Sequence, residues 1–99
     1  MANPASMTAQ LRRVRRRIDR LDEQLLRLVN RRARLALAIG RIKKRRKWPV
    51  FDPGREASVL RHVAAINGGP LTAAAVKHIF LAVLSECRRR ERTSKKPRR

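Results

Sequence analysis

The chain has 99 residues, enough for one domain with a modest hydrophobic core. Its 27 Lys and Arg residues outnumber 7 acidic residues, and a net charge of +20 favours an anionic partner: nucleic acid, acidic lipid or a small polyanionic metabolite. The single cysteine, Cys87, excludes an internal disulfide framework, and no stretch resembles a membrane span or a signal peptide, so we expect a cytoplasmic protein.

Residues 1–7 show no periodicity and are predicted to form a flexible N-terminal arm. A first helix is predicted from Thr8, a possible cap, to about residue 45. Apolar residues spaced by three or four mark one face of this helix: Leu11, Val14, Ile18, Leu21, Leu25, Leu28, Leu35, Ile39 and Ile42. Gly40 weakens this helix slightly but does not end it.

A helix of this length measures about 57 Å, whereas a compact domain of about 100 residues has a radius of gyration near 13 Å. Part of the first helix must therefore extend beyond its own fold, and its apolar stripe extends with it. A second copy of the chain is the simplest cover for that stripe. The sequence therefore predicts an intertwined helical homodimer.

Two shorter helices are predicted after the connector that follows the first helix. Asp52 and Pro53 are typical of a cap followed by proline at the first helical position, and this helix is predicted to end near Ile66. A turn follows at 67–70, and Thr72 caps the third helix. The fold class is thus all-α, with three helices and one of them very long.

The last seven residues, 93–99, are predicted to be a basic disordered tail. The folded domain is therefore expected to span residues 8–92.

Charged residues that interrupt the apolar stripes are the candidate site residues. Arg32 lies on the stripe between Leu28 and Leu35, where a buried guanidinium requires an anionic ligand or an acidic neighbour, unless it reaches solvent from the edge. Lys43 follows eleven residues later, on nearly the same face and about 16 Å further along the axis. By itself, Lys43 could equally belong to the solvated basic run 41–47.

Arg15 precedes Arg32 by 17 residues, about 25 Å along the helix, so the two cannot touch one small ligand from the same chain. In an antiparallel pair of long helices, however, Arg15 of one copy can meet Arg32 of the other. Alternatively, Arg15 is one of several solvent-facing arginines between positions 12 and 20.

The second and third helices also carry acidic candidates. Asp52 and Glu56 open the second helix beside Arg55, either as a cap and a favourable first-turn charge or as part of a site. Glu91 follows Cys87 by four residues and continues the apolar face of the third helix, unless it only balances the neighbouring arginines.

Six segments, taken in order, resemble the all-helical type II chorismate mutases across residues 11–91. They are Leu-Arg-x-x-Arg-Arg-x-Ile-Asp-x-Leu-Asp (11–22), Leu-Leu-x-Leu-Val-Asn-Arg-Arg (25–32), Ala-Ile-Gly-Arg-Ile-Lys (38–43), Pro-Val-Phe-Asp-Pro-Gly-Arg-Glu (49–56), Ile-Asn-Gly-Gly-Pro-Leu (66–71) and Ile-Phe-Leu-Ala-Val-Leu-Ser-Glu-Cys (79–87). The resemblance implies a cofactor-free isomerase that rearranges chorismate to prephenate in aromatic amino-acid biosynthesis. It also implies a homodimer with two shared active sites and no metal.

The family's substrate-binding pattern falls on Arg15, Arg32, Lys43, Asp52, Arg55, Glu56, Cys87 and Glu91. By this resemblance, the arginines bind the two carboxylates of chorismate, with Arg15 supplied by the partner subunit. Glu56 and Asp52 accept a hydrogen bond from the ring hydroxyl. Lys43 and Glu91 face the ether oxygen. Together with the carboxylate-binding Arg32, they are the predicted catalytic residues.

Glu91 departs from family members that carry glutamine at this position. A carboxylate cannot donate a hydrogen bond to the ether oxygen, so Glu91 must be protonated to act. We therefore expect activity that favours mildly acidic pH.

Other functions remain compatible with the sequence. An isochorismate-pyruvate lyase shares the three-helix fold, although Glu56 favours the mutase. A basic nucleic-acid-binding helical dimer is a further alternative, but the scarcity of aromatic residues favours only weak electrostatic binding. The domain could also belong to a bifunctional enzyme or work with another shikimate-pathway enzyme.

Overall fold

The computed structural model describes residues 3–94, and these form three α-helices. Helix α1 spans Pro4–Arg46, α2 spans Pro53–Ile66 and α3 spans Ala73–Thr93. The prediction of an all-α chain with three helices, the first very long, is confirmed over these residues. Within residues 3–94, no helix has the length and apolar character needed to cross a bilayer.

Helix α1 begins four residues earlier than the predicted start at Thr8. The Asn3 side chain accepts a hydrogen bond from the Ser6 backbone N–H at 2.7 Å, and Pro4 occupies the first helical position. Thr8 does not cap the helix, since its hydroxyl donates to the Pro4 carbonyl at 2.8 Å. Residues 4–7 of the predicted arm are therefore helical, while residues 1 and 2 lie outside the described residues.

Both predicted caps of the shorter helices are confirmed. Asp52 Oδ1 accepts from the Arg55 N–H at 3.0 Å, and Thr72 Oγ1 accepts from the Ala75 N–H at 3.1 Å. These bonds satisfy backbone donors that have no partner within the first turn of a helix. They also fix where α2 begins, which matters because Asp52 and Arg55 are both candidate site residues.

The chain divides into two compact units, one ending at Arg31 and the other beginning at Arg32. The first unit is the N-terminal part of α1, and its predicted apolar stripe is exposed. For example, Leu11 is 49% exposed and Leu21 is 61% exposed. This unit on its own therefore leaves a row of large apolar side chains in contact with water.

The second unit contains the rest of α1, together with α2 and α3, and holds the hydrophobic core. Its buried apolar residues are Ala36, Val59, Val76, Leu84 and Cys87. Two large apolar residues of the shorter helices, Ile66 of α2 and Ile79 of α3, are exposed.

Helices α1 and α3 approach each other closely at Gly40. A Cβ atom at this position would lie 2.5 Å from the Glu91 carbonyl oxygen, so only glycine fits. Ser94 is buried beside this contact: its hydroxyl donates to the Glu91 carbonyl at 2.7 Å, and its own carbonyl accepts from Lys44 Nζ. The end of α3 is thus held against α1. Two residues of the predicted disordered tail are ordered instead, because Thr93 ends α3 and Ser94 is buried. Residues 95–99 of that tail lie outside the described residues.

Candidate active site

A cavity of about 580 Å³ lies within the second unit. Its apolar wall includes Ala36 from α1, Val59 from α2 and Leu84 from α3. Cys87 also lines the cavity, and its charged lining consists of Arg32, Lys43, Asp52, Arg55, Glu56, Arg88 and Glu91. Seven charged side chains therefore converge on one cavity in a domain of only three helices.

Seven of the eight predicted binding residues line this cavity, and they come from all three helices and the residue before α2. They are Arg32, Lys43, Asp52, Arg55, Glu56, Cys87 and Glu91. The eighth, Arg15, belongs to the first unit and is not among the lining residues. Its predicted place in a site shared between two chains stays a prediction.

Lys43 and Glu91 form an ion pair across the cavity wall. Lys43 Nζ lies 2.8 Å from Glu91 Oε1, and the two side chains are only 15% and 12% exposed. Lys43 Nζ also donates to the Val50 carbonyl oxygen at 2.7 Å. An ammonium group has three N–H donors, so two are used here and one is left for a ligand.

Glu56 and Arg88 form a second ion pair, with two parallel hydrogen bonds. Arg88 Nε donates to Glu56 Oε2 at 2.9 Å, and Arg88 Nη2 donates to Glu56 Oε1 at 2.8 Å. These bonds raise the pKa of the Arg88 guanidinium, which therefore keeps its positive charge. The Arg88 guanidinium also lies over the Phe51 ring, 5.0 Å from its centroid.

Arg32 and Arg55 supply the positive charge that remains in the cavity. Among the ion pairs of residues 3–94, neither arginine takes part, whereas Lys43 and Arg88 are each matched by a carboxylate. Asp52 is the remaining acidic group, and one of its oxygens caps α2. The cavity thus offers two guanidinium groups, and each can pair with a carboxylate through two hydrogen bonds.

Arg88 is the polar lining residue that the sequence analysis missed. It follows buried Leu84 by four residues and precedes Glu91 by three, so its spacing places it on the inner face of α3. In the sequence it is followed by Arg89, Arg90 and Arg92, so its charge alone does not distinguish it from them. The helical spacing from Leu84 was the signal that could have identified it.

The sequence matches the family model described as chorismate mutase type II over residues 14–92. Among solved structures, the chain is similar to form II of the chorismate mutase from Thermus thermophilus. The TM-score is 0.83 at 29% identity, and the match covers 87% of this chain and 99% of that one. Form I from the same organism gives a TM-score of 0.77 at 29% identity, covering 79% of this chain and 98% of that one.

Curated relatives with similar sequences include two bifunctional chorismate mutase/prephenate dehydratases. The one from Aquifex aeolicus is 38% identical over 82 residues, and the one from Pseudomonas aeruginosa is 43% identical over 83 residues. Each match covers 79% of this chain but 23% of the relative. The chain therefore spans about a quarter of the length of these bifunctional proteins.

Proposed function

We propose that this chain, which belongs to the chorismate mutase type II family, catalyses the rearrangement of chorismate to prephenate. The observation that carries the proposal is that Arg32, Lys43, Arg55, Glu56 and Glu91 all line one cavity. Its volume of about 580 Å³ falls within the range of about 300–1,000 Å³ that is typical of small-molecule sites.

Charge matching supports chorismate as the ligand. Chorismate carries two carboxylates, and the cavity offers two guanidinium groups, Arg32 and Arg55, outside its internal ion pairs. Pairing each guanidinium with one carboxylate compensates the desolvation of both charges and fixes the ligand in orientation. Glu56 and Asp52 are the acceptors for the ring hydroxyl in this arrangement.

The reaction breaks a C–O bond and forms a C–C bond within one substrate molecule, so no nucleophile or second reactant takes part. The arginines hold the enolpyruvyl arm over the ring in a conformation close to that of the transition state. Lys43 has one N–H donor left after its bonds to Glu91 and Val50, and it stabilises the negative charge that develops on the ether oxygen. For Glu91 to act as a second donor, its carboxyl group must take up a proton and give up the ion pair with Lys43.

We further propose a homodimer in which Arg15 of the partner subunit completes each site. The exposed apolar row of the first unit supports this, because Val14 and Ile18 are 52% and 49% exposed on either side of Arg15. Burying such a row against a second copy would remove a large apolar area from water. Cooperation with another enzyme of the same pathway and a cytoplasmic location are separate predictions. The free cysteine Cys87 is consistent with a cytoplasmic location.

The test is the loss of chorismate absorbance on mixing with the purified protein. We expect Arg32→Ala to lower kcat/KM roughly 100-fold, because losing a charged, two-pronged hydrogen bond costs about 3 kcal/mol. Arg34→Ala is the matched control, since Arg34 lies on the same helix but is exposed. Equal activity of the two variants, or no turnover above the uncatalysed rate, would contradict the proposal.

A further inference from the structure

We propose that Arg88 is a positioning residue, which holds the Glu56 carboxylate in the orientation that accepts a hydrogen bond from the ring hydroxyl of the substrate. This inference rests on the proposed function, because it assigns a purpose to Glu56 only if chorismate occupies the cavity. It adds a residue that lies outside the eight positions carried over from the family's pattern.

The contact between Arg88 and Glu56 has the geometry of a rigid clamp. Both carboxylate oxygens of Glu56 receive a hydrogen bond from the same guanidinium, at 2.8 Å and 2.9 Å. A single hydrogen bond would let the carboxylate rotate about it, whereas two parallel bonds fix its plane. The side chains are 26% and 19% exposed, so water screens this ion pair only in part.

The clamp does not block Glu56 from binding a ligand. A carboxylate has about four lone-pair sites, and Arg88 occupies two of them. The remaining sites can accept from a hydroxyl group in the cavity that both residues line. Because Arg88 also neutralises Glu56, the dianionic substrate approaches a paired carboxylate rather than an uncompensated negative charge.

Arg88 is itself held in place by the connector between α1 and α2. Its guanidinium lies over Phe51, while Lys43 Nζ donates to the carbonyl of Val50, the preceding residue. One cation from α3 and one from α1 thus hold adjacent residues of the connector that leads into Asp52. The orientation of Glu56 therefore depends on groups from every element around the cavity.

The neighbouring Arg89 shows what an ordinary arginine on α3 looks like. It is 65% exposed, and its closest approach to Glu86, three residues earlier, is 3.6 Å. Such an exposed pair contributes little to stability or binding. Arg89 is therefore the matched control for any substitution of Arg88.

The experiment is a double-mutant cycle in chorismate turnover, with wild type, Glu56→Gln, Arg88→Met and the double variant. We expect Arg88→Met to raise KM roughly 10- to 100-fold and to change kcat less, because the ring hydroxyl itself forms and breaks no bond in the rearrangement. In the Glu56→Gln background, adding Arg88→Met should change kcat/KM by less than about threefold, since each substitution removes the same interaction between residues 56 and 88. Arg89→Met should stay within about twofold of wild type, and Arg88→Lys should recover part of the loss because it keeps the charge.

Thermal unfolding at one protein concentration separates positioning from a purely structural role. A structural role would lower the melting temperature and the active fraction, so kcat would fall at unchanged KM. That result overturns the inference, as do additive effects in the cycle, which would mean that Arg88 binds substrate directly. If wild type converts chorismate and the effects of the two substitutions are additive, only the inference about Arg88 is rejected. If wild type shows no turnover, the proposed function and this inference are rejected together.

Discussion

Replacing Gly40 with alanine tests whether the close contact between α1 and α3 positions Lys43 and Glu91, which we propose to be catalytic. The added Cβ would lie 2.5 Å from both the Glu91 carbonyl oxygen and Ser94 Oγ, and 2.7 Å from Glu91 Cα. Non-bonded heavy atoms pack at about 3.5–4.0 Å, so the end of α3 must retreat by about 1 Å. Because two of these atoms belong to the Glu91 backbone, a side-chain rotation cannot relieve the clash.

The magnitude follows from two opposing effects of Gly40→Ala. Forcing an extra methyl group into a packed contact costs about 1–3 kcal/mol, while replacing glycine within a helix returns up to about 1 kcal/mol. We expect a net destabilisation of about 1 kcal/mol, which lowers the melting temperature of a domain of this size by about 4–8 °C. A shift of about 1 Å in Glu91 relative to Lys43 should also lower kcat/KM by up to about 100-fold.

The assay pairs thermal unfolding with chorismate turnover, at one protein concentration. Gly68→Ala is the control, because a Cβ atom there would have no neighbour within 4 Å. We expect Gly68→Ala to stay within about 0.5 kcal/mol of wild type. If Gly40→Ala has the same melting temperature and kcat/KM as Gly68→Ala, the close approach does not position Glu91 and the reasoning is wrong.

Three further predictions concern other parts of the site. Glu91→Gln should flatten the pH dependence of kcat/KM, since an amide has N–H donors at every pH whereas the carboxylate that pairs with Lys43 has none; superimposable pH profiles would exclude Glu91 as a donor. Mixing the weakly active Arg15→Ala and Arg32→Ala variants and allowing subunits to exchange should raise turnover, because one site of each mixed dimer has both arginines; no increase despite exchange would contradict a shared site. Asp52→Ala should lower the free energy of unfolding by about 1 kcal/mol through loss of the α2 cap, whereas Asp52→Asn keeps a capping acceptor and should lower activity more than stability. Chemical denaturation and chorismate turnover measure the two effects, and equal losses of stability in both variants would contradict this separation.

The three helices could be predicted from the sequence because helix boundaries depend on residues that lie close together in the chain. Asp52 and Thr72 cap α2 and α3 where predicted, since capping depends on a side chain and a backbone N–H only three residues away. The predicted start of α1 was too late because Thr8 was taken as the cap. Asn3 followed by proline is an equally typical helix start, and Asn3 is the residue that caps α1. Errors of this kind remain local and do not alter the fold.

Contacts between helices were harder to predict because they depend on how the helices pack, and spacing along one helix does not show which residue of another helix lies opposite. Gly40 was interpreted as a weak point within a helix, yet its lack of a side chain lets α3 approach α1. Arg88 was hidden among exposed arginines, and only the fold brings it to Glu56, 32 residues earlier. The charges that interrupt apolar stripes, such as Arg32 and Glu91, could be found because periodicity marks them as exceptions.

The most direct test of the central claim is to identify the product by proton NMR after incubating the purified protein with chorismate. We predict that prephenate is the only product, that it forms faster than in the uncatalysed reaction, and that its rate is proportional to protein concentration. Formation of pyruvate, or a rate equal to that of the uncatalysed reaction, would contradict the proposal that this cavity is a chorismate mutase site.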